Sequence, residues 1–477
     1  MSEKKTFDLV VIGGGPGGYT AAFRAADLGL NVCLVERDKR LGGVCLKVGC
    51  IPSKILLHAA AVIEESAGIK SFGISFNKPE IDINALLSKK EAVVEQLTIG
   101  LDGLCKARKI TRVKGRATFE TATSIGVIVG ADKQSISFSR AIIATGSRPF
   151  MLPMAPEEPR IWDSTTALTL PFVPKRFLII GGGIIGLEMA QVYAALGSEI
   201  TIVEMLDHIV PPADKDMVQP LFLKLKKKYT ILTKARVTAL QPLQQGIQVT
   251  IDNSGKEETA QYDAVLVAVG RIPNSENLGL DTLGVTVSER GFISVDETLK
   301  TSADTIYAIG DVVGEPMLAH KATHQGKVAA EVISGRKSAF QPLTIPSVAY
   351  TSPELAWMGL TEKEAREQGV EYRKGKFSWG ASGRALTAGS GIGASKVLFS
   401  KESGRIIGAA ICGQNAGELI HEAVLALEMG ADAEDISKTV HAHPTLAETF
   451  AFACEMVDGS ITDTLPPKRK GPREGGG

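Results

Sequence analysis

Cys45 and Cys50 stand with four residues between them in GGVCLKVGCIPSK (residues 42–54), a small, apolar, glycine-flanked segment. Two thiols so close could staple a fold, ligate a metal, or make and break a bond during catalysis. A zinc site needs about four ligands, and no second cysteine pair or nearby histidine pair completes one. Cys33, Cys105, Cys412 and Cys454 are scattered through apolar or helical surroundings and read as small buried hydrophobes. The chain opens MSEKKTFDLVVIGGG, with no apolar signal run and no Arg/Ser-rich presequence, so a cytoplasmic location is expected. A reversible redox dithiol suits that reducing compartment better than a structural disulfide.

A thiol of ordinary pKa near 8.5 needs a base to become a nucleophile at neutral pH. His443, in HAHPTLAE (441–448), is the candidate. Pro444 favours the first turn of a helix, and Glu448 about one turn on could hold one ring nitrogen while the other takes a proton. By itself a His–Glu pair in a helix turn is more often structural. The remaining histidines are read more plainly. His320 and His324 have helical ligand spacing but no HExxH arrangement, so no metal is expected. His421 reads as an interface or core residue, and His58 and His208 carry no pattern.

The elements that would position the thiols begin at the N-terminus. FDLVVI reads as a strand, YTAAFRAADLG as a helix, and Gly13, Gly15 and Gly18 between them satisfy G-x-G-x-x-G. Gly13 permits the turn, Gly15 the approach of a pyrophosphate, and Gly18 close helix–strand packing, with the helix N-terminus facing the phosphates. NVCLVER then gives a second strand ending in Glu36, about 20 residues on, where a carboxylate would accept from ribose hydroxyls. The pattern recurs in RFLIIGGGIIGLEMAQVYAALGSEITIVEM, with Gly181, Gly183, Gly186 and a terminal Glu204 at the same offset. Two fingerprints imply two dinucleotides. A 2′-phosphate would be repelled by Glu204, and MLDHIV after it offers no arginine, so NAD is expected at the second site. Thiols need a partner that takes two electrons from sulfur and passes on a hydride, which points to FAD at the first.

Composition sets the frame. A chain of 477 residues suggests about three domains, and 44% hydrophobic with 22% charged residues supplies several cores. Lys+Arg and Asp+Glu both total 53, which removes a global electrostatic case for nucleic acid or an anionic membrane. The most apolar stretches, such as FLIIGGGIIGL, are glycine-broken and read as far short of the roughly 20 residues that span a bilayer.

GGVCLKVGCIPSK, ATGSRP, AIGDV and HAHPTLAE, in that order, resemble the class I pyridine nucleotide–disulfide oxidoreductases, specifically their dihydrolipoamide dehydrogenase branch. The resemblance covers residues 6 to 465. Val44 departs from it, a threonine being common before the first cysteine. The resemblance implies an α/β fold with two Rossmann-like dinucleotide-binding domains, for FAD and NAD, and a C-terminal α/β dimerisation domain. Its expected parts are an FAD domain (1–147), an NAD domain (148–275), a central segment completing the FAD site (276–345) and the dimerisation domain (346–465), before a disordered basic tail (466–477). VAYTSPELAWMG and KVLFSKESGRIIGAAICG read as strands of the last domain and GELIHEAVLALEMG as a helix.

The resemblance also implies roles. Thr145, Gly146, Ser147 and Asp311 would close over FAD. Met317, Leu318, Ala319 and His320 would start a helix facing the flavin, and the Gly115 backbone would meet the adenine. Lys54 and Glu188 would form an ion pair near the flavin, and Val237 and Gly270 would touch NAD. Cys45, Cys50, His443 and Glu448 would be catalytic. His443 would deprotonate a dihydrolipoyl thiol, whose thiolate attacks Cys45 of a Cys45–Cys50 disulfide, with Cys50 passing electrons to FAD and FAD a hydride to NAD⁺. The implied partners are a second copy of the chain and a lipoyl-bearing carrier protein or domain of a multienzyme complex, with no nucleic acid and no membrane. The alternatives are a glutathione or mercuric reductase and a non-catalytic FAD-bearing subunit. No arginine pair after Glu204 speaks against a glutathione reductase, no C-terminal cysteine pair and no N-terminal CxxC domain against a mercuric reductase, and intact Cys45, Cys50, His443 and Glu448 against a non-catalytic subunit.

Overall fold

The computed structural model describes residues 6–130 and 132–465. The basic tail expected to be disordered lies outside the described residues. The chain divides into two compact units and passes between them at three points.

The first unit comprises Met1–Pro174 and Ala264–Gln341. Its centre is a doubly wound sheet whose parallel strands run in the order Thr111–Lys114, Val32–Glu36, Thr6–Ile12, Asp132–Ile143, Ile306–Ala308. Both faces of the N-terminal strand are buried. Val10 and Ile12 enter one apolar cluster with Cys33 and Val35, and Leu9 and Val11 enter another with Val32 and Leu34. That two-sided burial is why these strands read as unbroken apolar runs rather than alternating ones. The strand Asp132–Ile143 does double duty. Its first half closes an antiparallel hairpin with Ser124–Val129, while its later residues join the parallel sheet. On the sheet lie the helices Pro16–Asp27 and Ala319–Ile333, which come within backbone contact: a Cβ on Gly326 would sit 2.6 Å from the Gly17 carbonyl oxygen.

The expectation that every apolar stretch is too short to cross a bilayer does not hold. The run Gly43–Phe72 passes by length and composition alone, with a mean hydropathy of 1.5. It consists of the short helix Gly43–Val48, the helix Cys50–Gly68 and one 3₁₀ turn, and Pro52, Ser53, Leu56, Leu57 and Ala60 on it are buried within the first unit.

The second unit comprises Lys175–Asp263 and the chain from Pro342. It repeats the strand–helix–strand pattern with parallel strands Arg176–Ile180, Glu199–Glu204 and Thr230–Thr233 and the helix Ile184–Ala195. A three-stranded meander follows over Ala235–Pro242, Ile247–Asn253 and Lys256–Tyr262. From residue 347 a five-stranded antiparallel sheet, containing Glu354–Gly359, Ala394–Ser400 and Ile406–Gly413, packs against the helices Ala416–Glu428 and Glu448–Asp458. Lys396, whose side chain is 2% exposed, reaches Asp214 and Asp216 at 2.7 Å and Glu362 at 2.9 Å. Those three carboxylates are the one group with metal-ligand spacing among the described residues. The Lys396 ammonium occupies their centre, and Lys376 on Asp216 at 2.8 Å and Lys374 on Glu362 at 3.1 Å complete the balance of the three charges.

Candidate active site

The dithiol is built by a broken helix. Gly49, at φ −147° and ψ −112°, ends the helix Gly43–Val48 and caps the helix Cys50–Gly68, so Cys50 opens a helix of its own. A Cβ on Gly49 would come within 2.9 Å of the Val44 carbonyl oxygen, so this break needs glycine. The turn folds the two cysteines back on each other, and both are thiols that are hydrogen-bonded together. The bond to Cys50, aided by burial, raises the Cys45 thiol well above its ordinary pKa, while the Lys54 ammonium opposes the shift. Tyr19, on the helix Pro16–Asp27, is likewise raised, first by burial and then by the charges Cys45 and Cys50 would carry. The other four cysteines are buried as the sequence suggested, and burial pushes the Cys412 thiol up to about 12.

The segment carrying the thiols is fastened to the first fingerprint. The Gly42 N–H donates to the Gly14 carbonyl at 2.8 Å, and a Cβ on Gly43 would lie 2.6 Å from the Gly15 Cα. In both fingerprints the acid is turned onto its own loop. Glu36 accepts from the Gly14 N–H at 2.7 Å and the Asp38 N–H at 2.9 Å, and Glu204 accepts from Gly182 and Leu206, both at 2.8 Å. A carboxylate has about four lone-pair sites, so each retains capacity for ribose hydroxyls. The loops suit a pyrophosphate. Gly13 and Gly181 have φ of 109° and 108°, and a Cβ on Gly18 or Gly186 would strike the carbonyl of Gly13 or Gly181 at 1.8 or 2.2 Å. At Gly183 a Cβ would meet nothing within 4 Å, leaving open space before the helix N-terminus at Ile184. The residues present therefore fit FAD and NAD.

The residues expected to close over FAD come together in the first unit. Ser147 Oγ donates to Asp311 Oδ2 at 2.6 Å, and Thr145 and Gly146 are tied to Asn274 by hydrogen bonds of 2.7 to 3.0 Å. Gly115 gives its N–H to the Glu36 carbonyl, and a Cβ there would meet the Ile128 carbonyl at 2.4 Å. Leu318 caps the helix that Ala319 and His320 begin, with Met317 just before it. Arg271 and Asn274 were not singled out from sequence. Arg271 donates from Nε to Ser147 Oγ at 2.7 Å and from a terminal nitrogen to the Ser147 carbonyl at 2.9 Å. Burial lowers its pKa, opposed by Asp311, Cys50 and Asp163. The available signal was the antiparallel pairing of GSRP with GRIP, strands Ser147–Pro149 and Arg271–Pro273.

Of the residues expected around NAD, Gly181, Gly183, Gly186, Glu204 and Val237 belong to the second unit and Gly270 to the first, while Glu188, expected to pair with Lys54 near the flavin, belongs to the second. Glu188 is 4% exposed and accepts from the Tyr350 N–H at 3.2 Å. Lys54 belongs to the first unit, where its Nζ donates to Ser53 Oγ at 3.3 Å.

His443 and Glu448 meet in the second unit. His443 Nδ1 lies 2.8 Å from Glu448 Oε1, and the Thr445 N–H donates to Oε2 at 2.6 Å. Burial would raise Glu448, but the Thr445 N–H and the His443 ring outweigh it and hold the carboxyl below its ordinary range. One expectation is corrected. Pro444 does not occupy a first helical turn: the helix begins at Glu448, and the preceding segment is held in extended and bent form by the Glu448 carboxylate itself. The His443 side chain is 79% exposed, so its Nε2 is open to an incoming group.

Residues 7–326 match the family described as pyridine nucleotide-disulphide oxidoreductase, and residues 345–454 match that family's dimerisation domain. A dihydrolipoyl dehydrogenase of Haemophilus influenzae is 52% identical over 98% of this chain and 99% of its own. One from Vibrio parahaemolyticus is 51% identical over 98% and 99%, and one from Geobacillus stearothermophilus 44% identical over 95% and 96%. Among solved structures, the Cu(II) complex of the HOCl-induced flavoprotein disulfide reductase RclA of Escherichia coli superposes with a TM-score of 0.84 at 26% identity, covering 95% of this chain and 100% of that one. LpdA of Mycobacterium tuberculosis superposes with a TM-score of 0.87 at 23% identity, covering 94% and 99%, and shares the fold.

Proposed function

The chain belongs to the pyridine nucleotide-disulphide oxidoreductases, and from that premise we infer that it oxidises dihydrolipoyl groups with NAD⁺, the dihydrolipoyl dehydrogenase reaction. The observation that carries this reading is the match to dihydrolipoyl dehydrogenases along nearly the whole length of both chains. The Gly13–Gly18 loop, Glu36, Ser147 and Asp311 would hold FAD, which when bound would supply a two-electron acceptor for sulfur and a hydride donor to NAD⁺. NAD would be held by the Gly181–Gly186 loop and Glu204.

The chain's own residues do the thiol chemistry. Glu448 fixes His443 with Nδ1 inward, so Nε2 takes a proton from one dihydrolipoyl thiol. The resulting thiolate attacks Cys45 of the Cys45–Cys50 disulfide, forming a mixed disulfide and releasing Cys50 as thiolate. The second substrate thiol, on losing its proton, displaces Cys45 and leaves as the cyclic lipoyl disulfide. Two electrons and two protons have then left the substrate, and the cysteine pair holds the electrons. The hydrogen bond between the two cysteines, with Lys54 nearby, supports this reduced state.

We further assign the four-part division 1–147, 148–275, 276–345 and 346–465, a homodimer, and a lipoyl-bearing partner in a multienzyme complex in the cytoplasm. The dimerisation-domain match supports the homodimer. The test is a purified-protein assay with dihydrolipoamide and NAD⁺, against glutathione disulfide and Hg²⁺ with NADH or NADPH. NADH formation from dihydrolipoamide is expected to dominate. Faster turnover of either alternative substrate would overturn the assignment.

A further inference from the structure

A second histidine–glutamate pair lies beside the first. His441 Nε2 is 2.6 Å from Glu422 Oε1, and its Nδ1 is 2.8 Å from the Thr439 carbonyl oxygen. The His441 side chain is only 11% exposed. Both facing groups are acceptors only. A neutral imidazole carries one N–H, so one ring nitrogen would set its lone pair against an oxygen lone pair. Only the imidazolium satisfies both contacts.

The clamp joins two elements and the segment after them. Glu422 sits in the helix Ala416–Glu428, and Thr439 is anchored to the helix Ala433–Ser437 by its hydroxyl, which donates to the Asp435 carbonyl at 2.9 Å. His441 therefore pins the start of the segment that ends in His443. Its charge also reaches the last helix, where it acts on Glu448 and Glu455. The charged groups facing it are Glu422, Glu448 and Glu455, with Asp458 and Asp463 acting in turn on Glu455.

We propose that His441, held as a cation between Glu422 and the Thr439 carbonyl, is a positioning residue that fixes the His443 segment and draws part of the Glu448 charge away from His443. This rests on His443 being the base. Burial disfavours the cation, but Glu422 and Thr439 outweigh it, and the pKa of His441 is raised above its ordinary value. The clamp is therefore closed at low pH and opens as pH rises through that raised value.

Two measurements test this. In ring-¹⁵N-labelled holoenzyme, both His441 nitrogens should be protonated at pH 7, and Glu422→Gln should lower the midpoint by about one unit or more. A single neutral tautomer at pH 7 overturns the proposal. In kinetics, His441→Gln should move the acid limb of kcat/KM for dihydrolipoamide upward by about half a pH unit, as the competing cation is lost. His441→Lys, which keeps a cation, should leave that limb near its wild-type position. Superimposable profiles for wild type and His441→Gln overturn the idea, as does an equal shift in both variants. If the wild type does not oxidise dihydrolipoamide, the functional reading fails by itself, and the ring titration of His443 with and without His441→Gln still decides this inference.

Discussion

Glu448 holds His443 from one side and the backbone of Thr445 from the other, at 2.8 and 2.6 Å. A carboxylate caught between a ring and a backbone N–H cannot swing, so the imidazole it orients is fixed before substrate arrives. Glu448→Gln keeps the shape and loses the charge, and should lower kcat/KM for dihydrolipoamide by roughly 10²-fold, within the span of general-base effects. His443→Gln should cost at least as much. Kinetics that match wild type in both variants would remove the pair from the mechanism.

The same carboxylate has a stability consequence with a definite sign. Its pKa is lowered in the folded chain, so its contribution is fully present above the unfolded carboxylate value of about 4.3 and is lost as pH falls through the folded value. Thermal midpoints of wild type and Glu448→Gln should therefore differ at pH 7 and converge on acidification. A gap that stays constant down to pH 3 contradicts the linkage.

Nucleotide choice is expected to turn on Glu204. Its carboxylate faces the Gly182 and Leu206 N–H groups, and Met205 beside it is 69% exposed. Glu204→Gln with Met205→Arg removes like-charge repulsion, keeps an acceptor for the loop and adds a phosphate partner. The ratio of kcat/KM for NADP over NAD should rise by about tenfold or more, which corresponds to about 1.4 kcal/mol. An unchanged ratio would show that this acid does not read the ribose.

Gly183 separates ligand contact from fold. Among the described residues, and apart from its chain neighbours, no atom lies within 4 Å of the Cβ that Gly183→Ala would add, whereas Gly186→Ala would strike a carbonyl at 2.2 Å. The first should raise KM for NAD⁺ several-fold with an unmoved thermal midpoint. The second should lower the midpoint, with overpacking costing about 1–3 kcal/mol. Equal midpoint losses in the two variants would mean the open space is not the pyrophosphate seat.

A subunit-exchange experiment asks where the base comes from. Cys45→Ser and His443→Gln proteins are each expected to be inactive. If a two-fold interface brings His443 of one subunit to the thiols of its mate, a mixed dimer has one intact and one doubly damaged site. Equal mixing makes about half the dimers mixed, so activity should return to about a quarter of wild type. Demonstrated exchange without recovery places the base within its own subunit.

Much of this was written locally. Gly13, Gly15, Gly18 and Glu36, and their counterparts from Gly181 to Glu204, are legible because a turn, a helix start and a strand end each demand particular residues at short, fixed offsets. The spacing of Cys45 and Cys50 declared a thiol pair for the same reason. The sequence did not reveal that Gly49 breaks the helix so that the thiols meet, nor that Glu448 rather than Pro444 shapes the turn after His443. Nor did it show Arg271 on Ser147, Lys396 among Asp214, Asp216 and Glu362, or His441 on Glu422. Each of those contacts joins residues from separate elements. A long polar side chain finds its partner only after apolar faces have packed, and burial then makes an unpaired charge too costly to keep. Backbone pattern is set by neighbours in the chain, whereas charge pairing is set by neighbours in space.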